Sequence, residues 1–336
     1  MADDIHTQLT KYLTDAHSIE EQALAQLRTA PDLAGDPELA RAYEEHLTET
    51  EGHERITRGL LEARGESPSA LKDAVMKVGG KGFLLFAKAQ PDTPGKLHAH
   101  SLSYEALELA SYELLRRVAE RAGEDDVAAE ARRVAADERT MMERLESSFD
   151  RSVDASLREV GRDDLGERLR TYLADAHAIE QQAIGLLERA PRIAGSGPLA
   201  TTFEEHLVET REHAELVEQR LGQLGGAPSS LKDAAMRLGA LNWGAFFQGH
   251  PDTPGKLAAF AFAFEYLEVG GYEQLRRVAE RAGDAITAET AVRILEQERN
   301  AAGQIASRWD EAVEASLEAQ GVGRGQGASG PGRSSE

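Results

Sequence analysis

The chain repeats itself at a constant interval. KYLTDAHSIEEQA from Lys11 returns as TYLADAHAIEQQA from Thr171, and PDTPGKL occurs at Pro91 and at Pro251. YELLRRVAERAG from Tyr112 returns as YEQLRRVAERAG from Tyr272, and VDASL at Val153 returns as VEASL at Val313. Every pair lies 160 residues apart (251 − 91 for the prolines), so the copies abut with almost no insertion. A period this long is a whole domain rather than a solenoid unit. The expected organisation is two domains of one fold, 1–160 and 161–320. A Gly/Ser-rich tail follows over 321–336, with the composition of a disordered segment.

Within each copy the apolar positions recur with helical spacing, and no stretch alternates with period two. The pattern predicts four long helices. The first runs from Ile5 to Thr29 and stops before Pro31. The second starts at Pro37, with Asp36 as its N-cap, and fades near Gly65. The third opens at DTPG, where Asp92 or Thr93 can cap and Pro94 can take the first position. The fourth begins near Asp125, after Gly123, and continues to about Leu157. Between the second and third lies SPSALKDAVMKVGGKGFLLFAKAQ, too long for a hairpin turn. It is expected to hold a short Pro-initiated helix. Its apolar segment Phe83–Phe86, like Trp243–Phe247 in the second copy, is expected to cover the bundle or join the two domains. The fold class is therefore all-α: two tandem four-helix bundles, each with a long crossover between helices 2 and 3.

Composition removes several classes of function. The formal charge is −21 with no basic stripe, which argues against nucleic acid and is compatible with cations. There are no cysteines, so disulfides, Fe–S clusters and thiol catalysis are excluded. No run approaches 18 apolar residues and MADDIHTQLT has no apolar h-region, so neither a membrane span nor a signal peptide is expected. The expected location is the cytoplasm.

The inward faces carry too many ionisable groups. On the second helix HLTETEGHE, residues 46–54, returns as HLVETREHAE from His206. On a helical wheel His46, Glu49 and His53 share an arc of about 60° with Ala42, Ile56 and Leu60 at or within its edges. On the first helix His17 and Glu20 share a stripe with Leu13, Ala16, Leu24 and Leu27. On the third, Glu105 and Glu108 share one with Ser101, Leu109 and Tyr112. On the fourth, Glu138 stands alone among Val127, Ala131, Val134, Met141, Met142 and Leu145. The second copy repeats all of them as His177 and Glu180, His206, Glu209 and His213, Glu265 and Glu268, and Glu298.

Burying one unpaired carboxylate costs several kcal/mol even after relaxation. Five in one core would outweigh the ~5–15 kcal/mol stability of a whole domain. Protons can neutralise some, and basic residues others, with Arg116 the main candidate. Divalent metal does so best, because carboxylates bridge hard cations and imidazoles fill the remaining positions. Singly, each element has a plainer reading. A lone Glu–His pair at i,i+4 is usually solvated, Glu45 and Glu51 fall off the arc, and the Met141–Met142 pair reads as core filler. The weight lies in four helices contributing together, twice.

The order of IEEQAL, EEHLTETEGH, a Glu-x-x-Glu before a Tyr, and DER on the last helix resembles the YciE/YciF-like stress-protein family of the ferritin-like superfamily, here as a tandem duplication. The resemblance covers about residues 8–148 and 168–308. It implies two ferritin-like bundles with two iron or manganese ions each. Glu20, Glu49, His53, Glu105, Glu108 and Glu138 match ligand positions, as do Glu180, Glu209, His213, Glu265, Glu268 and Glu298. His17, His46, His177 and His206 can be hydrogen-bond partners behind the ligands, ordinary core histidines or ligands themselves. The chain departs from the usual pattern in having Glu-x-x-x-His rather than Glu-x-x-His on helix 2. Met141 and Ala301 stand where a His often follows the helix-4 Glu, and the PDTPGKL crossover is atypical. The implied function is oxidative-stress or iron handling, as a ferroxidase or catalase-like oxidoreductase acting with peroxide or dioxygen. The alternative is a non-catalytic metal-binding or structural stress protein; a metal-free scaffold with protonated carboxylates stands behind both. Partners are expected to be metal ions, with no nucleic acid and no membrane. A homo-oligomer is compatible with the sequence; a closed iron-storage shell suits fused bundles poorly.

Overall fold

A computed structural model describes residues 4–66, 93–228 and 253–322. All regular structure among them is helical, and it falls into two tandem helical bundles. In the first, α1 spans Ile5–Leu27, α2 Ala30–Leu33, α3 Pro37–Glu62, α4 Thr93–Ala122, α5 Asp125–Ser147 and α6 Phe149–Leu157. After a 3-10 turn at Arg162–Asp164 come α7 (Leu165–Leu187), α8 (Ala190–Ala194), α9 (Pro198–Gln223), α10 (Thr253–Ala282), α11 (Ala285–Ala306) and α12 (Trp309–Ala319). The crossover segments at Phe83–Phe86 and Trp243–Phe247 lie outside the described residues, as does the tail beyond Val322. Among the described residues no helix is long and apolar enough to cross a membrane.

The helix ends follow local chemistry. Asp36 caps α3, its Oδ1 accepting from the N–H groups of Glu38 (2.9 Å) and Leu39 (3.1 Å). Gly123 takes φ +73° after α4, and the Glu124 N–H bonds back to the Ala119 carbonyl at 3.0 Å. This closure needs a left-handed residue, which glycine adopts without penalty. One boundary departs from expectation. The fourth helix is not continuous to Leu157 but breaks at Ser148, whose backbone leaves the helical region at φ −113°, ψ 10°. Ser148 Oγ donates to the carbonyls of Arg144 (2.9 Å) and Leu145 (3.1 Å), and His98 Nε2 lies 2.9 Å from the Leu145 carbonyl. Side chains thus take acceptors the next turn would have used. Neither Gly nor Pro marks the break.

In each half the first helix packs on the second and third long helices, and the third packs along the fourth. The halves meet through α4 and α10. Contacts across this junction come in pairs at the repeat interval: Lys96 pairs with Asp175 (3.3 Å) and Lys256 with Asp15 (3.0 Å). Arg117 and Arg121 reach Asp310, and Arg277 and Arg281 reach Asp150. Such reciprocity is the signature of an isologous, pseudo-two-fold interface, made here within one chain. The two helices approach closely at Gly270, where a Cβ would lie 2.8 Å from that of Ala99.

Candidate metal centre

Four long helices bring ionisable side chains into the core of each half. In the first, Glu20, His46, Glu138, Glu108, His53 and Glu105 are all at most 3% exposed. One ligand atom from each of His46, Glu105, Glu108 and Glu138 can be chosen so that all lie within 4.8 Å of one another. Glu20, His53 and Glu138 satisfy the same condition. Two adjacent groups therefore share Glu138. The second half reproduces both, with His206, Glu265, Glu268 and Glu298 in one and Glu180, His213 and Glu298 in the other.

Each imidazole turns one nitrogen inward and one outward. His46 Nε2 lies 2.8 Å from Glu105 and 3.5 Å from Glu138, while its Nδ1 meets Glu49 Oε2 at 3.0 Å. His53 turns the other way: Nδ1 is 2.8 Å from Glu138 and 4.0 Å from Glu20, and Nε2 meets Asp137 Oδ2 at 3.2 Å. In the second half His206 Nε2 lies 2.8 Å from Glu265 and His213 Nδ1 2.8 Å from Glu298. Their outward nitrogens face Glu209 Oε2 (3.4 Å) and Gln297 Oε1 (3.1 Å). Tyr112 and Tyr272 donate to Glu20 and Glu180 in matching bonds that lie deep in the core.

The structure thus brings together Glu20, His53, Glu105, Glu108 and Glu138, and adds His46 to them. Glu49 stands aside. Its side chain is 46% exposed, and it holds the outer nitrogen of His46. Glu209 does the same at 39% exposure. The α3 positions that are buried, Leu39, Tyr43, Thr50, Thr57 and Leu61, explain why. They centre the inward stripe about 100° around the wheel from Glu49, with His46 and His53 on its near flank. Ile56 and Leu60, which had pulled the expected arc towards Glu49, are only half-buried. Buried His17 belongs to a separate group with Glu21 and Glu54, its Nδ1 3.6 Å from Glu54. His177 is buried too, but Gln181 and Ala214 stand where that group has its carboxylates. Two residues that sequence reasoning gave no role, Asp137 and Gln297, prove to touch the cluster. Their only sequence signal was adjacency to Glu138 and Glu298.

Electrostatically the cluster is far from self-sufficient. Both carboxylate oxygens of Glu108 and of Glu138, Glu20 Oε2, Glu105 Oε2, His46 Nε2 and His53 Nδ1 are buried without an aligned hydrogen-bond partner. His53 Nδ1 with Glu138 and His46 Nε2 with Glu105 each lie 2.8 Å apart as ion pairs, but are not aligned as donor and acceptor. Native interiors leave only a few such atoms per ~100 residues, and eight gather in this one cluster. Burial, and then the neighbouring Glu138 charge, push Glu20 up to about 8 and Glu108 well above the carboxylate range. Burial raises Glu105 to about 7 although His46 opposes it. For His53 burial acts against the charged form, yet Glu138 prevails and lifts it to about 9; Glu105 lifts His46 likewise. Glu138 itself is lowered, its burial being outweighed by His53 and His46. The charges of this core are matched by protons held on its own carboxylates and imidazoles, with no Lys or Arg in either group.

That donor set fits divalent metal. Four carboxylates balance the charge of two dications, two neutral imidazoles complete the set, and within each group one ligand atom per residue lies within 4.8 Å of the others. Buried His/Glu groups suited to holding metal ions in a tandem helical bundle define the class of protein. Residues 4–158 and 164–318 each match the family described as "Domain of unknown function (DUF892)", and the chain belongs to that family, twice over. No solved structure matches the chain.

Proposed function

We propose that each half holds a pair of iron or manganese ions and that the protein works in oxidative-stress or iron handling, as a ferroxidase or a peroxide scavenger of the ferritin-like kind. The single observation that carries this reading is the convergence of unmatched buried donor atoms on two groups joined by Glu138, repeated around Glu298. In the first half Glu20 and His53 would hold one ion, His46, Glu105 and Glu108 the other, with Glu138 between them. Glu180, His213, His206, Glu265, Glu268 and Glu298 would do the same in the second. A metal pair held there would supply paired one-electron changes and Lewis acidity. The chain's own contribution is to fix the ligands and exclude water. Glu49 and Asp137 hold the outer nitrogens of His46 and His53, and the Tyr112 hydroxyl donates a hydrogen bond to one Glu20 oxygen. Because hard carboxylates outnumber imidazoles two to one, the site favours manganese and iron over softer metals.

The test has two stages. Metal analysis of the purified chain, with anomalous scattering at the iron and manganese edges, should find iron or manganese at both clusters. Stopped-flow absorbance after Fe(II) and then peroxide should show a transient oxidised chromophore. Clusters without metal in protein purified from metal-replete cells would refute the reading. Metal without any such transient would reduce it to a non-catalytic metal-binding role.

A further inference from the structure

The two centres match in every inward-facing donor and differ immediately behind them. The outer nitrogen of His53 meets a carboxylate, Asp137, at 3.2 Å, whereas that of His213 meets an amide, Gln297, at 3.1 Å. We infer that the halves have divided their labour: the first retains its metal pair and the second exchanges it, with Asp137 and Gln297 as the positioning residues that set the difference. The inference rests on the metal reading above and goes beyond it by making the sites unequal.

The physical reason lies in what each partner does to the imidazole. Both fix the tautomer, presenting a lone pair on Nδ1 to the cluster. A carboxylate behind a histidine also draws the Nε2 proton and raises the basicity of the metal-facing nitrogen; a neutral amide does this far less. Arg133 tempers the effect, since its Nη1 lies 3.1 Å from the same Asp137 oxygen. That pair is 48% and 39% exposed, so solvent screens the guanidinium more than it screens the buried imidazole contact. Two further substitutions distinguish the surroundings of the two centres, and in the first Arg58 pairs with the Glu54 carboxylate. Glu54 is buried beside His17 in the first half, and Ala214 occupies its place in the second; Glu21 is likewise replaced by Gln181.

The surface outside the two histidines also differs in charge. A surface cavity of about 440 Å³ is lined by Glu212, Glu215, Gln219, Arg293, Gln297 and His213 itself. Two of these are carboxylates, which attract cations. The equivalent positions in the first half are Gly52, Arg55 and Gly59, followed by the paired Arg133 and Asp137.

Titration of the metal-free full chain with Mn(II), followed by calorimetry and by the free-ion paramagnetic resonance signal, tests this. Two affinity classes are expected, separated by about 10- to 100-fold, the range typical of changes behind a ligand. Glu138→Leu should abolish the tight class and Glu298→Leu the weak one. Isosteric exchange then isolates the charge. Asp137→Asn should weaken the tight class, and Gln297→Glu should tighten the weak one, a gain that no purely structural role produces. Two equal classes, a tight class lost through Glu298→Leu, or a gap unmoved by Gln297→Glu would overturn the inference while leaving the metal reading intact. Mn(II) binding that survives Glu138→Leu together with Glu298→Leu, or no binding at all, would instead overturn the metal reading.

Discussion

Metal entering this core must displace protons, and the structure says roughly how many. At pH 7 Glu20, at about 8, is protonated, and burial and the neighbouring Glu138 push Glu108 in the same direction. His53, at about 9, and His46, also raised, carry a proton beyond their neutral form. Ligation requires ionised carboxylates and neutral imidazoles, so a pair of dications should release about four protons from this half. Glu180, Glu268, His206 and His213 are raised in the same sense, so the second half should behave alike. Each proton released makes apparent affinity rise tenfold per pH unit, or about 1.4 kcal/mol. The sign follows from the direction of the shifts. All four folded-state values lie above their unfolded ones, so their stabilisation of the metal-free protein is complete below about pH 4.5 and is lost as pH rises towards 9. Metal-free protein should therefore melt lower at pH 8.5 than at pH 6, while the increment added by Mn(II) should grow over that window. Calorimetric titration in buffers of different ionisation enthalpy counts the protons directly. Release of fewer than one proton per half would refute the reasoning, because the carboxylates would then be ionised already or uninvolved.

Three further outcomes follow from the same contacts. Glu138→Leu should remove the metal-dependent stabilisation of the first half, about 4 kcal/mol at a thousandfold excess over Kd, and with Glu298→Leu the melting temperature should cease to respond to metal. Glu49→Ala, which frees only the outer nitrogen of His46, should weaken Mn(II) binding by about 10- to 100-fold without abolishing it, whereas Glu105→Ala should eliminate the site; equal effects in calorimetry would show Glu49 to be a ligand. Gly270→Leu should force α10 from Ala99 and lower the urea midpoint by the equivalent of about 1–3 kcal/mol or more, and an unchanged midpoint would mean that the junction between halves is looser than its 2.8 Å approach implies.

Much of this molecule was legible before any coordinates. The constant interval between repeats is a covalent fact and required two copies of one fold. The helical period placed Glu20, Glu105, Glu108 and Glu138 on apolar stripes, and all four are buried together. Asp36 and Gly123 announced helix ends because capping and left-handed closure depend on residues a few positions apart. What periodicity could not supply was the rotation of each helix about its axis. Ile56 and Leu60 drew the inward arc of α3 towards Glu49, whereas packing against α1 settled it on the side of Tyr43, Thr50 and Leu61. That turn of under a quarter of the wheel moved Glu49 out to solvent and His46 in beside Glu105. The break at Ser148 was hidden for a similar reason, since the group competing for the Leu145 carbonyl is His98, on another helix. Which nitrogen of His53 faces Glu138, and that Asp137 stands behind it while Gln297 stands behind His213, are likewise decisions of tertiary structure. A sequence specifies which side chains can share a face. Only the packing of one helix on another selects the atoms that meet.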